Sequence, residues 1–422
     1  MKSLAEMTIT DPGITRNPYE FYERLRNEDP VHFDEKLGAW LVTRHKDIIE
    51  AARNTTVFSD EMRVAESVRS PYQDEANEYI KEKGFYLLDP SDSFKVDGEL
   101  HARRRKLVSH AFTAHAVAAM ADRVAELCKD QFETFKGKSE VDLFKEYAVP
   151  VPIKVICDAL GLPLDRIEDV RRAADSLVAR AGKGASREEA FQHADNVMQL
   201  QQFARDAINQ RREAPTSDLI SQLVNSGADN PEDDQLTEQE LISIVSVSIA
   251  GGVDTTRNTI AYALYTLATR PDLLKRLQES DDQDKLLSAF CEETLRFYAP
   301  VPALPRVVTE DTELGGKKIP KDALVFLCWA SGNRDPERFE NPDEFSIDRK
   351  ASSQHLSFGT GVHVCLGAML ARNEVKAALK QFINSVESFE LAVSPEDLDY
   401  SDSLVILRGV NSLPVRLKAK AG

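Results

Sequence analysis

The sequence predicts a mainly α-helical protein with small β-sheets. Three observations carry this. The pattern from about Glu99 to Val224 is helical, with breaks at Pro150, Pro163 and Pro215. A single helix of roughly 33 residues, about 50 Å at helical rise, follows from Thr237 to Arg270. The extended runs are few and short. In chain order, "NPYEFYERLRNED" is a short helix opened by a proline. "VHFDEKLGAWLVT", Val31 to Thr43, reads as a hairpin turning near Gly38. The acidic "GADNPEDD", Gly227 to Asp234, is too short for a domain linker. "TEQE", Thr237 to Glu240, caps the long helix, because a Thr hydroxyl and a Glu three residues on satisfy free N–H groups reciprocally. That helix is apolar on nearly every face from Ile242 to Ala250, so it is expected to cross the centre of the molecule. Pro271 restarts the chain. Short strands follow Pro300, "LGGKK" forms a hairpin turn, and a last helix starts at about Leu366. Length alone allows two or three domains. The pattern favours one, spanning 1–422 with 1–16 as an N-terminal tail.

The formal net charge of −17 argues against non-specific nucleic-acid binding. No run of eighteen apolar residues appears, so no membrane-spanning helix is expected. The start, "MKSLAEMTITDPGITRNP", lacks an apolar signal core, which predicts a cytoplasmic location. The five cysteines, Cys128, Cys157, Cys291, Cys328 and Cys365, show no zinc-type pairing and form no disulfide framework. Four lie in apolar contexts that suit buried thiols. Only Cys365 stands among glycines.

Four stretches carry chemistry. In "AGGVDTTRN", Ala250 to Asn258, two adjacent glycines each cost about 1 kcal/mol in a helix interior. Either another helix approaches closely there, or a small or flat ligand touches the backbone. Threonine back-bonding is expected to loosen the ladder into a groove, beside which Asp254 and Thr255 form an acid–alcohol pair suited to proton delivery. In "EETLRFYAPVPALPR", Glu293 and Arg296 lie three apart and can pair; alone that is a surface ion pair of little worth. Its prolines then extend the chain to Arg306, which can reach an anion. In "GELHARRRKLV", His101 and Arg105 share a helix face and can grip a carboxylate together. In "FGTGVHVCLG", Phe358 to Gly367, Cys365 precedes a helix whose N-terminus favours a thiolate. Gly359, Gly361 and Gly367 are expected to permit positive-φ turns and close approach to a planar ligand. Phe358 can pack on that ligand, and His363 can donate to its carboxylate. Chance gives this six-position pattern with a probability of roughly one in a million.

These motifs resemble the cytochrome P-450 superfamily, the haem-thiolate monooxygenases, in its soluble bacterial class. "FGTGVHVCLG" is similar to the haem-ligand loop, "GGVDTTRN" to the oxygen-activation groove, "ETLR" to the E-x-x-R motif, "HARRR" to the haem-propionate segment, and "NRDPERFENPDEFSIDR" to the stretch before the haem loop. The resemblance runs from about Asn17 to "RGVNSLPVRL" and predicts no fused reductase. It implies a triangular, α-rich single domain with haem b between the long central helix and the Cys-loop helix. Cys365 would be the iron ligand. His101, Arg105, Arg306 and His363 would bind the propionates, with Phe358, Gly359, Gly361 and Gly251 also at the cofactor. Asp254 and Thr255 would deliver protons, and Glu293, Arg296 and Arg349 would form a structural triad. The implied reaction inserts one oxygen atom of O2 into a small, mostly apolar organic substrate, by hydroxylation or O-dealkylation. Electrons would come from a ferredoxin and its NAD(P)H reductase. Arg103, Arg104, Lys106 and Arg372 are expected as the basic patch facing that donor. Val247, Ala250, Gly251, Pro302, Ala303, Leu304, Ile406 and Leu407 are expected to line the substrate pocket, with Phe85 to Leu88 either a lid or core. A haem-thiolate peroxygenase and a non-catalytic haem sensor are the alternatives; the Asp254–Thr255 pair weighs against both.

Overall fold

The computed structural model describes residues 3–61, 71–88, 90–179, 185–226, 235–400, 405 and 407–420. They fall into two compact units: Met1–Asp60, Ala121–Val151 and Thr255–Gly422 in the first, Glu61–Met120 and Pro152–Asp254 in the second. Helices dominate both, and the described strands are short.

In the first unit, β1 (Val31–Asp34) and β2 (Ala39–Val42) form the expected hairpin, with Gly38 at φ +72°. The sheet continues through β8 (Leu324–Leu327) and β5 (Leu304–Val308) to β3 (Phe58–Ser59), in the order β1-β2-β8-β5-β3. Side chains alternate across such a sheet. One face therefore buries Val31, Val42, Val325 and Leu327 with Ile48 and Trp329. The other buries Ala39, Leu41 and Phe326 with Phe21 and Leu25. β4 (Glu140–Asp142), β10 (Pro414–Ala419) and β9 (Val386–Leu391) make a second sheet. β6 (Thr312–Leu314) and β7 (Lys317–Ile319) make a hairpin whose Gly315 and Gly316 both have positive φ. Pro150 does not break a helix; it opens one, Pro150–Ala159, where its missing N–H is harmless.

Within this unit the Glu293–Arg296 pair is no surface pair, since both side chains are 0% exposed. Arg296 donates all five of its N–H groups: Nε and Nη2 to the two Glu293 oxygens (both 2.8 Å), Nη1 to the carbonyls of Asn333 (2.9 Å) and Pro342 (2.8 Å), and Nη2 again to Glu344 (3.1 Å). Glu293 also accepts from the Ser346 amide (2.9 Å), Arg349 Nε (3.2 Å) and Ser352 Oγ (2.9 Å). The helix Gln283–Tyr298 thereby fixes the irregular segment 333–352.

In the second unit, the helix Arg187–Glu213 packs on Ile167–Ala179 and Gln73–Glu82. Its Ser186–Glu189 capping box sets its start. Phe85 and Leu87 pack against the core of Ala76, Ile80, Ala190, Ala194 and Met198, and Gln201 clamps the Tyr86 backbone through both its N–H (2.9 Å) and its C=O (2.7 Å). The acidic stretch 227–234 lies outside the described residues.

Breaking one side of a buried pair leaves the other charge uncompensated. Glu293→Ala is therefore expected to destabilise the protein by about 3–5 kcal/mol, read as a lower urea midpoint. A midpoint equal to that of the parent protein would show that the triad does not hold the segment.

Candidate functional site

In the first unit the Cys loop is built by two left-handed glycines, Gly359 (φ +69°) and Gly361 (φ +77°). The Cys365 amide closes it by donating to the Phe358 carbonyl (2.8 Å). A Cβ on Gly361 would stand 3.0 Å from the Ala52 carbonyl, so the loop rests directly on the end of the helix His45–Arg53. Gly367 departs from expectation: its φ is −80°, and it serves as the N-cap of the helix Ala368–Ser385. A Cβ there would meet nothing within 4 Å. Of the five cysteines only Cys365 is exposed. Burial pushes the other thiols up, Cys157 and Cys291 to about 12 and Cys128 and Cys328 beyond that range.

Beneath the loop, the Phe358 ring lies 4.4 Å from the Arg372 guanidinium and 5.6 Å from the His355 ring. Arg372 forks onto Glu292 (2.6 and 3.1 Å), and His355 Nε2 is 3.5 Å from the same carboxylate. Burial alone would raise the Glu292 carboxyl; His355 and Arg372 outweigh it and bring it down to about 2. Asn333 links the loop to the Arg296 network. Its side chain accepts from the Leu356 amide (2.6 Å) and donates to Ser357 Oγ (2.8 Å), while its carbonyl accepts from Arg296. Nearby, Arg306 and His363 converge on Asp60. Arg306 Nη1 donates to Asp60 Oδ1 at 2.7 Å, and His363 Nδ1 stands 3.6 Å from Oδ2.

In the second unit His101 (4% exposed) and Arg105 lie on the helix Gly98–Ser109. The expected basic patch is not open. Arg104 is 5% exposed; it and Arg103 each reach Glu240 at 2.9 Å, and Arg104 also donates to the Ser91 and Ser93 carbonyls. Burial would raise Glu240, but Arg103, the Thr237 amide and Arg104 lower it to about 2. Arg372, engaged with Glu292, is likewise a structural charge. Of the four, Lys106 alone is classed as exposed.

The long helix is α-helical throughout Glu238–Thr269, capped as expected by Thr237 and Glu240. Back-bonds such as Thr259 Oγ1 to the Thr255 carbonyl (2.8 Å) occur without breaking it, so the expected loosened ladder is not formed. A stripe takes its place. From Leu241 to Thr256 only Val247, Ser248, Ala250, Gly251, Gly252 and Thr255 escape burial, and 247, 251 and 255 repeat at i+4. Asp254 is buried beside this stripe. Among the expected pocket residues, Pro302 and Ala303 are buried just ahead of β5, Ala303 at 0% within the Phe21–Phe326 core. Leu304 and Leu407 are half-buried; Ile406 lies outside the described residues.

The family model for cytochrome P-450 matches residues 51–409. The chain belongs to the cytochrome P-450 family. It is 33% identical over 406 residues to cytochrome P-450 109 of Bacillus spizizenii, covering 96% of this chain and 92% of the relative. It is 32% identical over 402 residues to 6-deoxyerythronolide B hydroxylase of Saccharopolyspora erythraea, covering 94% and 96%. Among solved structures, a cytochrome P-450 of Chondromyces apiculatus superposes with a TM-score of 0.84 at 28% identity, covering all of both chains. The P-450 heme domain of Tepidiphilus thermophilus gives 0.88 at 26% identity, covering 98% and 97%. The protein is a haem-thiolate monooxygenase, and its cofactor is haem. The residues present fit that group: one exposed sulfur ahead of a helix, open space over Gly367, and a buried Arg306 whose Nε has no partner among the described residues.

Glu292 and Glu240 are depressed well below the ordinary value of 4.5, so the stability they contribute is complete above that pH and is lost as pH falls toward about 2. The thermal midpoint is expected to drop across this window, and less steeply in Glu292→Gln. A flat midpoint from pH 5 to about 2.5 would contradict the two ion pairs.

Proposed function

We propose that this cytochrome P-450 oxidises a small, mostly apolar organic substrate, by hydroxylation or O-dealkylation, with electrons drawn from a ferredoxin and its NAD(P)H reductase. The observation that carries the reading is Cys365, the one exposed cysteine, held in the two-glycine loop ahead of the helix Ala368–Ser385. Bound haem supplies the iron centre at which dioxygen is activated, one oxygen atom entering the substrate and the other leaving as water. Cys365 would be its thiolate ligand. Within the first unit, Arg306 and His363 would take the cofactor's propionates through charge-assisted bonds. Phe358, wedged between Arg372 and His355, holds the loop backbone around the sulfur. Thr255, on the unburied stripe, and buried Asp254 hold and pass the protons.

The substrate class rests on the stripe, where Val247 is 40% exposed and Gly251 has no side chain to obstruct an apolar molecule. A related cytochrome P-450 of Bacillus megaterium, TM-score 0.79 and 29% identity over 96% of this chain and 99% of that one, was solved in complex with testosterone. That makes neutral steroids a sensible first screen by spin-state shift.

Two measurements test the reading. The dithionite-reduced protein is expected to give the strongly red-shifted carbon monoxide band of a thiolate ligand, and Cys365→Ser to lose it. A histidine-type band in the parent protein, or a normal one in the variant, overturns the ligand assignment. Thr255→Ala is expected to keep the substrate-induced spin shift while coupling of electrons to product falls at least about tenfold, the balance appearing as peroxide. Unchanged coupling removes Thr255 from proton delivery.

A further inference from the structure

We propose that Asp60 is a positioning residue for the cofactor's carboxylates: it holds Arg306 and His363 in place so that both present their remaining donors to one anion. The proposal rests on the cytochrome P-450 reading and deepens its anion-binding site. Asp60 follows β3 immediately, one residue beyond the Ser59–Val307 pair, which sets it beside Arg306 of β5. It is 3% exposed, as is Arg306. Arg306 Nη1 is engaged within the chain, by Asp60 (2.7 Å) and its neighbour's Pro305 carbonyl (2.7 Å). Its Nε is buried and has no hydrogen-bond partner among the described residues. A buried guanidinium donor without an acceptor is costly unless a ligand supplies one. Asp60 thus fixes one arm of the guanidinium and leaves another for an incoming carboxylate. The same carboxylate stands 3.6 Å from His363 Nδ1, and the short helical turn Gly361–His363 is held there by the contact of Gly361 with the helix His45–Arg53. One acid therefore stands against a guanidinium and an imidazole drawn from segments nearly sixty residues apart.

Two effects of Asp60 oppose each other. Its negative charge repels a second carboxylate, while its bonds remove the rotamer freedom that Arg306 would otherwise lose on binding. The burial of all three groups favours the second, since a guanidinium set free in so dry a site would turn to backbone acceptors instead of awaiting the ligand.

The test uses the full-length holoprotein and measures the rate of haem transfer to excess apomyoglobin. Asp60→Ala and the near-isosteric Asp60→Asn are expected to release haem about tenfold faster, the usual effect of removing an outer-shell partner. Arg306→Gln is expected to do the same, and the double variant Asp60→Ala/Arg306→Gln to release haem more slowly than the product of the two single effects, with the remaining gain over Arg306→Gln being the part that passes through His363. That non-additivity is the readout a merely structural role would not give. Release unchanged or slower in the Asp60 variants, or fully additive effects, overturns the proposal. So does unfolding of both variants before haem is added, which would assign Asp60 to the fold. A parent protein that takes up no haem would instead overturn the function reading itself.

Discussion

The buried guanidinium of Arg296 is the constraint on which the Cys loop depends. A charge removed from water must have every donor met, and here the partners come from its own helix and from three carbonyls between Asn333 and Glu344. That segment has little regular structure of its own. Its backbone acceptors are arranged around the guanidinium, and Arg349 and Ser352 return to the same Glu293 carboxylate. Asn333 then passes the constraint on, binding Arg296 through its carbonyl and the start of the Cys loop through its side chain. The position of Cys365 is therefore set by a chain of satisfied polar groups running back to one helix, and not by loop propensity alone.

A second layer lies beneath the loop. Glu292, next in sequence to Glu293, faces another way along the helix and binds Arg372 and His355, which sandwich Phe358. Two adjacent glutamates on one helix thus hold two different parts of the loop region. Three cations expected to face a partner are held by acids of this chain: Arg372 by Glu292, Arg103 and Arg104 by Glu240. In a chain of net charge −17 these arginines act as fasteners.

Local pattern made much of this readable. The long helix was legible because period and capping box are local signals, and the Cys loop because glycine spacing reports backbone geometry directly. The Glu293–Arg296 pair was legible as a pair but not as buried, since the carbonyls that surround it carry no side-chain signature. Glu240 was visible as a cap, yet its bonds to Arg103 and Arg104 span more than 130 residues and left no local trace. Asp60, in "FSDEM", is an ordinary acid until β3 pairs with β5. Ala303 was misread because a proline-rich segment carries no periodicity that tells which of its residues join the core; its burial with Phe21 and Phe326 is a tertiary contact.

The cysteines separate into two chemical populations. Four sulfurs are buried with their thiols pushed far toward the protonated form, in which they are poor nucleophiles. The fifth, Cys365, is exposed and is the proposed iron ligand. A thiol-selective alkylating agent therefore meets a single accessible cysteine, and each chain it modifies there loses the proposed ligand. The stoichiometry of thiol loss and the fraction of inactive protein should follow the same curve, and the protein carries in its own fold an internal count of how often its cofactor site has been left uncovered.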